Sequence, residues 1–439
     1  MSRALVVAAI VPPWQGADEP TYVAYAQVLA LPDAIVDGSP LIKRPAAEPI
    51  VRVEEDIQRQ VIESMAAHDW WDAYGQVPPD PLPAAFSQIG RPAGNYSQPL
   101  YYGLAALVLR FTHPEDIDGA YFRLRALSVV LSVGVLLMGW AGTRLLLGPA
   151  VAIGATTVGA LHPQFVLSAI SPNPDTLAAF WGAFAWWQLG SLVAGRRRAL
   201  AVALLLVATV AALLTKRSAV PLAAVTLLCA AAMFVPTTWR STPRRRVLAV
   251  VTLSGLIVMT AATYLLFGDV FAGLGLYWRS TFTARRAFSS RVFVEMFDYL
   301  TISVDYAWLM AGWQRFAPER WWLLVARTLT VVALAGALAR TWKSERRVGL
   351  AIAWFLLGVQ VAAVVGPGFM SLAAPQGRYL FPAFAPMMAI LWVGVVGLHP
   401  GRVWPYAALA LIIIVAGLDA TGTTTVLLRA YVPEMLRVL

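Results

Sequence analysis

Residues 176–217 read TLAAFWGAFAWWQLGSLVAGRRRALAVALLLVATVAALLTKR. Two apolar runs, each close to the about 20 residues that a helix needs to cross a bilayer, are separated by Arg196, Arg197 and Arg198. This alternation of apolar run and short basic turn decides the fold, and it recurs along the chain. The whole sequence is 59% hydrophobic and 13% charged, against about 25% charged in an ordinary soluble domain. A soluble domain cannot hide that much apolar surface, and the apolar residues are segregated into runs.

Spans are predicted near 121–147, 149–170, 176–195, 199–215, 219–236, 247–268, 321–339, 349–367, 380–398 and 403–420. The short apolar stretch Ala4 to Val11, behind Arg3, makes eleven. Eight helical residues rise only about 12 Å, so residues 1–13 read as a shortened first helix, expected either to start upstream or to be ended early by Pro12 and Pro13. The net charge of +10 follows the positive-inside rule. Arg196 to Arg198, the group Arg240, Arg244, Arg245 and Arg246, the group Arg340, Lys343, Arg346 and Arg347, and finally Arg402 occur in every second loop. That rhythm places them on the cytoplasmic face. No nucleic-acid-binding motif accompanies them. The single cysteine, Cys229, excludes an intrachain disulfide.

The expected organisation is one transmembrane domain. It has a first outer loop at 14–120, helices over 121–268, a second outer loop rich in Arg and aromatics at 269–320, helices over 321–420 and a tail at 421–439. In the first loop, stretches at 20–31 and 54–74 look helical. Residues 99–111, apolar but short, fit a helix lying in the membrane interface, with Tyr96, Tyr101 and Tyr102 as its aromatic belt.

The chain has no Walker A loop, no H-E-x-x-H and no paired C-x-x-C. Its four histidines, His68, His113, His162 and His399, are scattered. The predicted spans lack acidic residues in their middles, where ion-coupled transporters keep them. Polar chemistry gathers in the outer loops. Gly16-Ala17-Asp18-Glu19-Pro20 follows the first apolar stretch, and Ser171-Pro172-Asn173-Pro174-Asp175 fills a tight later loop. Each has a plain reading as a helix cap: Asp18 or Glu19 ahead of Pro20, and Asn173 ahead of Pro174. Together on one face, the acids could also deprotonate an acceptor or hold a metal. Lys216 and Arg217, and Arg378 and Tyr379 in Gln376-Gly377-Arg378-Tyr379, are expected near the outer interface. There they could hold a phosphate or simply snorkel to ordinary lipids.

These motifs in this order resemble the GT-C superfamily of membrane glycosyltransferases, and within it a bacterial branch related to protein O-mannosyltransferases and lipid A aminoarabinose transferases. The likeness runs through Gly16 to Pro20, Gln98-Pro99-Leu100-Tyr101-Tyr102, Tyr121-Phe122-Arg123-Leu124-Arg125, Asp175 and Gly377 to Pro382. It departs at the shortened first span, at the absent outer C-terminal domain, and at Thr21 and Tyr22, where relatives often carry a histidine. The resemblance implies an all-α GT-C-like bundle in a bacterial cytoplasmic membrane, active on the extracytoplasmic face. It implies transfer of a sugar, with inversion, from a polyprenyl-phosphate donor to a glycan, lipid or protein acceptor. Membrane lipids are the other expected partners and nucleic acid is not one. No cofactor is required; a divalent metal has no support from the residues and stays an open alternative.

The roles expected are Asp18 as base with Glu19 as the fallback, and Asp175 orienting the acceptor or acting on Asp18 by like-charge repulsion. Arg378, with Lys216 or Arg217 and beside Tyr379, is expected to hold the donor phosphate. Glu19 is placed second because the residue before a proline favours extended backbone, which would turn its side chain away. Two other readings compete: a flippase or transporter of lipid-linked glycans, and a non-catalytic partner in envelope assembly, in which Asp18 and Asp175 would be dispensable.

Overall fold

The computed structural model describes residues 2–16, 18–31, 48–70, 99–219, 292–312, 316–342, 344–370, 376–398 and 401–431. The spans expected at 219–236 and 247–268, Cys229, the arginines at 240–246, Tyr96, Gln98, Lys343, His399 and half of the loop at 269–320 lie outside them, as does the Arg217 side chain.

The chain is an all-α polytopic membrane protein. Five described helices are long and apolar enough to cross a bilayer, or six with one bent pair. The first helix, α1, is Ser2–Ile10. The region expected to be the first outer loop holds α2 (Glu19–Ala30), α3 (Glu48–Ala67) and α4 (Pro99–Thr112). The bundle follows with α5 (Ile117–Leu147), α6 (Pro149–Ala160), α7 (Pro163–Ala169), α8 (Pro174–Val193) and α9 (Arg198–Thr215). After α10 (Val292–Trp308) come α11 (Arg320–Thr341), α12 (Arg347–Met370), a 3-10 segment Gly377–Ala383 leading into α13 (Phe384–Val395), and α14 (Trp404–Gly422).

Start and stop signals explain the boundaries. Asp116 caps α5 by accepting from the Gly119 N–H at 2.7 Å. Gly148, at φ 100°, ends it in a conformation that suits glycine, and Pro149 opens α6, where a missing N–H costs nothing. The span expected at 149–170 is broken: α6 and α7 meet at 68°. Pro163 cannot continue an α-helix, and the His162 ring accepts from the Phe165 N–H to cap the second piece. Pro382 likewise sits in the 3-10 entry to α13. The last span does not stop near 420 but runs through a π-helical segment, Thr423–Leu428, to Tyr431. It also carries Asp419 well inside it, against the expectation of spans free of acids. That carboxylate is paired with Arg3 of α1 at 2.5 Å, so the buried charge is neutralised. Within the stretch expected to be the second outer loop, α10 is a helix that the sequence pattern did not reveal. Its Asp305 takes two bonds from Arg327 of α11, at 2.7 and 2.5 Å.

Small residues set the close helix contacts. Gly142 of α5 and Gly190 of α8 face each other, with Trp186 Nε1 donating to Thr143 Oγ1 at 3.0 Å. Gly154 of α6 lies under the Trp392 indole, and Gly394 of α13 rests on the Ala333 backbone of α11. Apolar lipid gives no hydrophobic drive for association, so close backbone packing of this kind supplies it. A second core in the outer region joins Trp14, Tyr22, Tyr25, Tyr101 and Tyr102 to Val61, Met65 and Trp70 of the α3 segment. Arg110 of α4 closes the end of α2 by bonding the carbonyls of Leu29, Ala30 and Leu31.

The chain direction fixes two ends of the bundle. α8 runs from Asp175 to the Arg196–Arg198 turn, and α9 returns to Lys216. α13 runs away from Arg378, and Arg340 bonds the carbonyls of Val393 and Gly394 at its far end. The described basic turns therefore share one end, and the acidic motifs with Lys216 and Arg378 share the other.

A Cβ at Gly394 would collide with the Ala333 backbone, whereas one at Gly417 meets nothing within 4 Å. Gly394→Leu should cost about 1–3 kcal/mol and lower the melting temperature in detergent. Gly417→Leu should leave it unchanged.

Candidate active site

The loop from Val11 to Asp18 is pinned before it reaches the site. Trp14, fully buried, donates its indole N–H to Ser64 Oγ at 2.8 Å, and its carbonyl accepts from Trp70 Nε1 at 2.9 Å. On the other side Arg125, 5% exposed, bonds the carbonyls of Ala8, Val11 and Pro12. Held from both sides, the loop takes Trp14 and Asp18 through left-handed backbone at φ 70° and 66°, a conformation that costs most non-glycine residues energy.

The two adjacent acids then separate. Glu19 is 2% exposed; its carboxylate accepts from the Gly16 N–H at 2.9 Å and from the Tyr121 hydroxyl at 3.2 Å. Burial pushes the Glu19 carboxyl above its usual range, with the Arg125 charge opposing. Its backbone is the first turn of α2, not extended, so the expected reason for its turning away does not hold. It turns away to satisfy the loop's own N–H. The Asp18 side chain is 45% exposed, makes no cap bond to α2, and accepts at 3.4 Å from the buried Tyr22 hydroxyl.

Asp175 sits where the capping signal placed it. Asn173 Oδ1 accepts from the N–H groups of Asp175 and Thr176 at 2.8 and 3.3 Å, starting α8 with Pro174 in its first turn. The Asp175 side chain is 1% exposed and forms two ion pairs, to Lys216 Nζ at 2.5 Å and to Arg378 Nε at 3.3 Å. Arg378 also reaches Asp18 Oδ2 through Nη2 at 3.1 Å, and its Nε donates to Gln376 Oε1 at 3.0 Å. Lys216 lies 4.6 Å above the Tyr379 ring, a cation–π contact. Burial pushes the Lys216 ammonium below its ordinary range, and the Asp175 charge opposes that shift.

The structure thus brings Asp18, Asp175, Lys216, Arg378 and Tyr379 together and leaves Glu19 outside the cluster. Lys216 and Arg378 are both held by Asp175. The two aspartates do not face each other bare, because the Arg378 guanidinium lies between them and offsets the like-charge repulsion expected of the pair. Two carboxylates and two cations make the cluster neutral. Among the described residues, no group of three or more His, Cys, Asp or Glu side chains could hold a metal ion.

Beside Arg378 opens a cleft of about 510 Å³, part of it open to solvent. Gln15, Gln164, Ser168, Ser171, Asn173 and Gln376 supply most of its polar wall. Gln164 and Ser168 belong to no motif read from the sequence. They carry no charge, and they join the other lining residues only through the fold.

No protein-family model matches the chain, and no curated protein matches it. Among solved structures it is similar to the archaeal oligosaccharyltransferase AglB from Archaeoglobus fulgidus, in complex with an inhibitory peptide and a dolichol-phosphate. That match has 15% identity and a TM-score of 0.41, over 74% of this chain and 47% of that one. The oligosaccharyltransferase of Archaeoglobus fulgidus in the apo form gives 14% identity and a TM-score of 0.39, over 74% and 48%. The chain spans less than half the length of those proteins. A likeness this slight bears no weight, and the reading below rests on the chain's own residues.

Removing one partner of a buried ion pair costs about 3–5 kcal/mol, whereas an exposed pair contributes about 1 kcal/mol or less. Asp175→Asn should therefore lower the melting temperature in detergent sharply. Asp18→Asn should leave it nearly unchanged, since asparagine also accepts left-handed backbone.

Proposed function

We propose that the chain is a GT-C-type glycosyltransferase that moves a sugar from a polyprenyl-phosphate donor to a cell-envelope glycan, lipid or protein acceptor. The reaction takes place on the outer face of a bacterial cytoplasmic membrane, with inversion. The observation that carries this is the neutral cluster of Asp18, Asp175, Lys216 and Arg378 at one end of the bundle, opposite the basic turns and beside a polar cleft. A phosphate leaving group departs without strong acid assistance. The reaction then needs one base for the acceptor hydroxyl and fixed cations for the departing phosphate.

The exposed Asp18 is the base. It takes the acceptor proton as the acceptor oxygen bonds to the anomeric carbon. The bond from that carbon to the phosphate oxygen breaks, and its electron pair leaves with the prenyl phosphate. Arg378, with Lys216 behind it, receives the phosphate charge. Asp175 is a positioning residue: buried and doubly paired, it aims both cations and does not meet the acceptor. The arriving phosphate competes with Asp18 for the Arg378 guanidinium, because that contact is the exposed one. Donor binding therefore frees the base for the acceptor.

Asp419, an acid well inside a described span, is closed on Arg3, and Asp305 of α10 is closed on Arg327. Neither is an open mid-span carboxylate of the kind a transport reading needs.

Asp18→Asn should fold, bind a prenyl-phosphoryl sugar normally and lose about 10²-fold or more in turnover. Turnover is read as prenyl phosphate released in the presence of envelope extract. Arg378→Ala should weaken donor binding in nanodiscs about tenfold or more, as expected for lost charge-assisted bonds. Near-normal turnover of Asp18→Asn removes the base assignment; unchanged donor binding of Arg378→Ala removes the phosphate site.

A further inference from the structure

The cleft next to Arg378 has a defined hydrogen-bonding sense. Gln164, 8% exposed, accepts from the Met310 N–H with Oε1 at 2.7 Å. Gln376 accepts from Arg378 Nε with Oε1 at 3.0 Å. With both carbonyl oxygens engaged inside the protein, each glutamine presents its NH₂ group as the remaining polar end. Ser168 and Ser171 add hydroxyls. Among the described residues no carboxylate lines the cleft: Glu19 is bonded into the loop behind Gly16, and Asp175 is closed on Lys216 and Arg378. Among the same residues Arg378 is the one charged group in the lining, and a phosphate at that end would occupy it.

Gly16 and Gly377 let the walls close up. A Cβ at Gly16 would meet the Glu19 carboxylate and Ser171 Oγ, and one at Gly377 the backbone of Tyr306 and Ala307. Leu167 and Met310 supply apolar surface against which the C–H face of a ring can rest.

We infer that this cleft is the subsite for the donor's glycosyl group and that it takes an uncharged, hydroxyl-bearing sugar, with Gln164 and Gln376 donating to its oxygens. The inference rests on the reading of Arg378 as the phosphate site and names the class of sugar that lies beside it. An amino sugar would bring an ammonium, which can only donate, against the amide N–H groups of Gln164 and Gln376 and beside a guanidinium; Asp18, the carboxylate that donor binding frees, faces the acceptor and is not in the lining. A uronic acid would bring a second negative charge to a site whose one cation the phosphate already holds. Burying either charge without a partner is costly.

The test measures binding to the full chain in nanodiscs with four probes: prenyl phosphate, a prenyl-phosphoryl hexose, and the matching amino-sugar and uronic-acid donors. The hexose should bind at least about tenfold more tightly than prenyl phosphate alone, and the two charged sugars no more tightly than prenyl phosphate. Gln164→Glu keeps an acceptor for the Met310 N–H but replaces the donor with a carboxylate. Measured relative to prenyl phosphate in the same variant, it should lose the hexose advantage and gain affinity for the amino sugar about tenfold. Ser168→Ala, too small a change to unfold the chain, should weaken only the hexose, severalfold. A wild-type protein that binds either charged sugar as tightly as the hexose overturns the inference, as does a Gln164→Glu variant with unaltered preference. Failure of prenyl phosphate itself to bind overturns the phosphate reading and this inference with it, and is told apart from the other outcomes by that one probe.

Discussion

Asp175 holds Lys216 and Arg378 on the two oxygens of a single carboxylate that is almost wholly buried. Those three residues come from the start of α8, the end of α9 and the entry to α13, and Arg378 adds Asp18 from the first outer loop. One charge thus ties together four segments that are far apart in sequence, at the end of the bundle away from the basic turns. Burying it is tolerable only because both cations arrive; burying the cations is tolerable only because it is there. The candidate active site inherits its geometry from this mutual dependence. The exposed member, Asp18, is the one whose partner can be exchanged without unfolding anything.

Around that cluster the outer region acts as a brace. Trp14, Ser64 and Trp70 hold one side of the acidic loop and Arg125 the other, so Asp18 is presented in left-handed backbone by contacts that themselves do no chemistry. Glu19 belongs to the brace. Its bonds to the Gly16 N–H and the Tyr121 hydroxyl close the turn that puts Asp18 outward. The division of labour between two neighbouring acids follows from which of them the loop needs for its own hydrogen bonds.

Much of the fold was legible in the sequence because apolar runs and helix caps are local signals. The cap at Asn173, the helix Pro99–Thr112 and the alternation of basic turns could all be read from neighbouring residues. The bend at His162 and Pro163 could not, because hydropathy stays high across it and a sum over a window hides a single proline. α10 was missed because charges and aromatics interrupt its apolar face. Asp419 looked like the end of a span because the helix continues past it through threonines, which read as a tail. In the site, the residue types and the face they share were legible. The pairing of Asp175 with Lys216 and Arg378, and the glutamine wall, were not, since both depend on contacts between distant segments.

The central claim is that Arg378 marks the place of a lipid phosphate. The direct measurement is a cryo-electron microscopy map of the full chain in nanodiscs with a prenyl-phosphoryl hexose. The account predicts phosphate density within hydrogen-bond distance of the Arg378 guanidinium, the sugar in the cleft beside Gln164, and the Asp18 carboxylate released from Arg378. A bound donor whose phosphate lies at the opposite end of the bundle, near Arg340 and Arg347, with Asp18 still paired to Arg378, would contradict it.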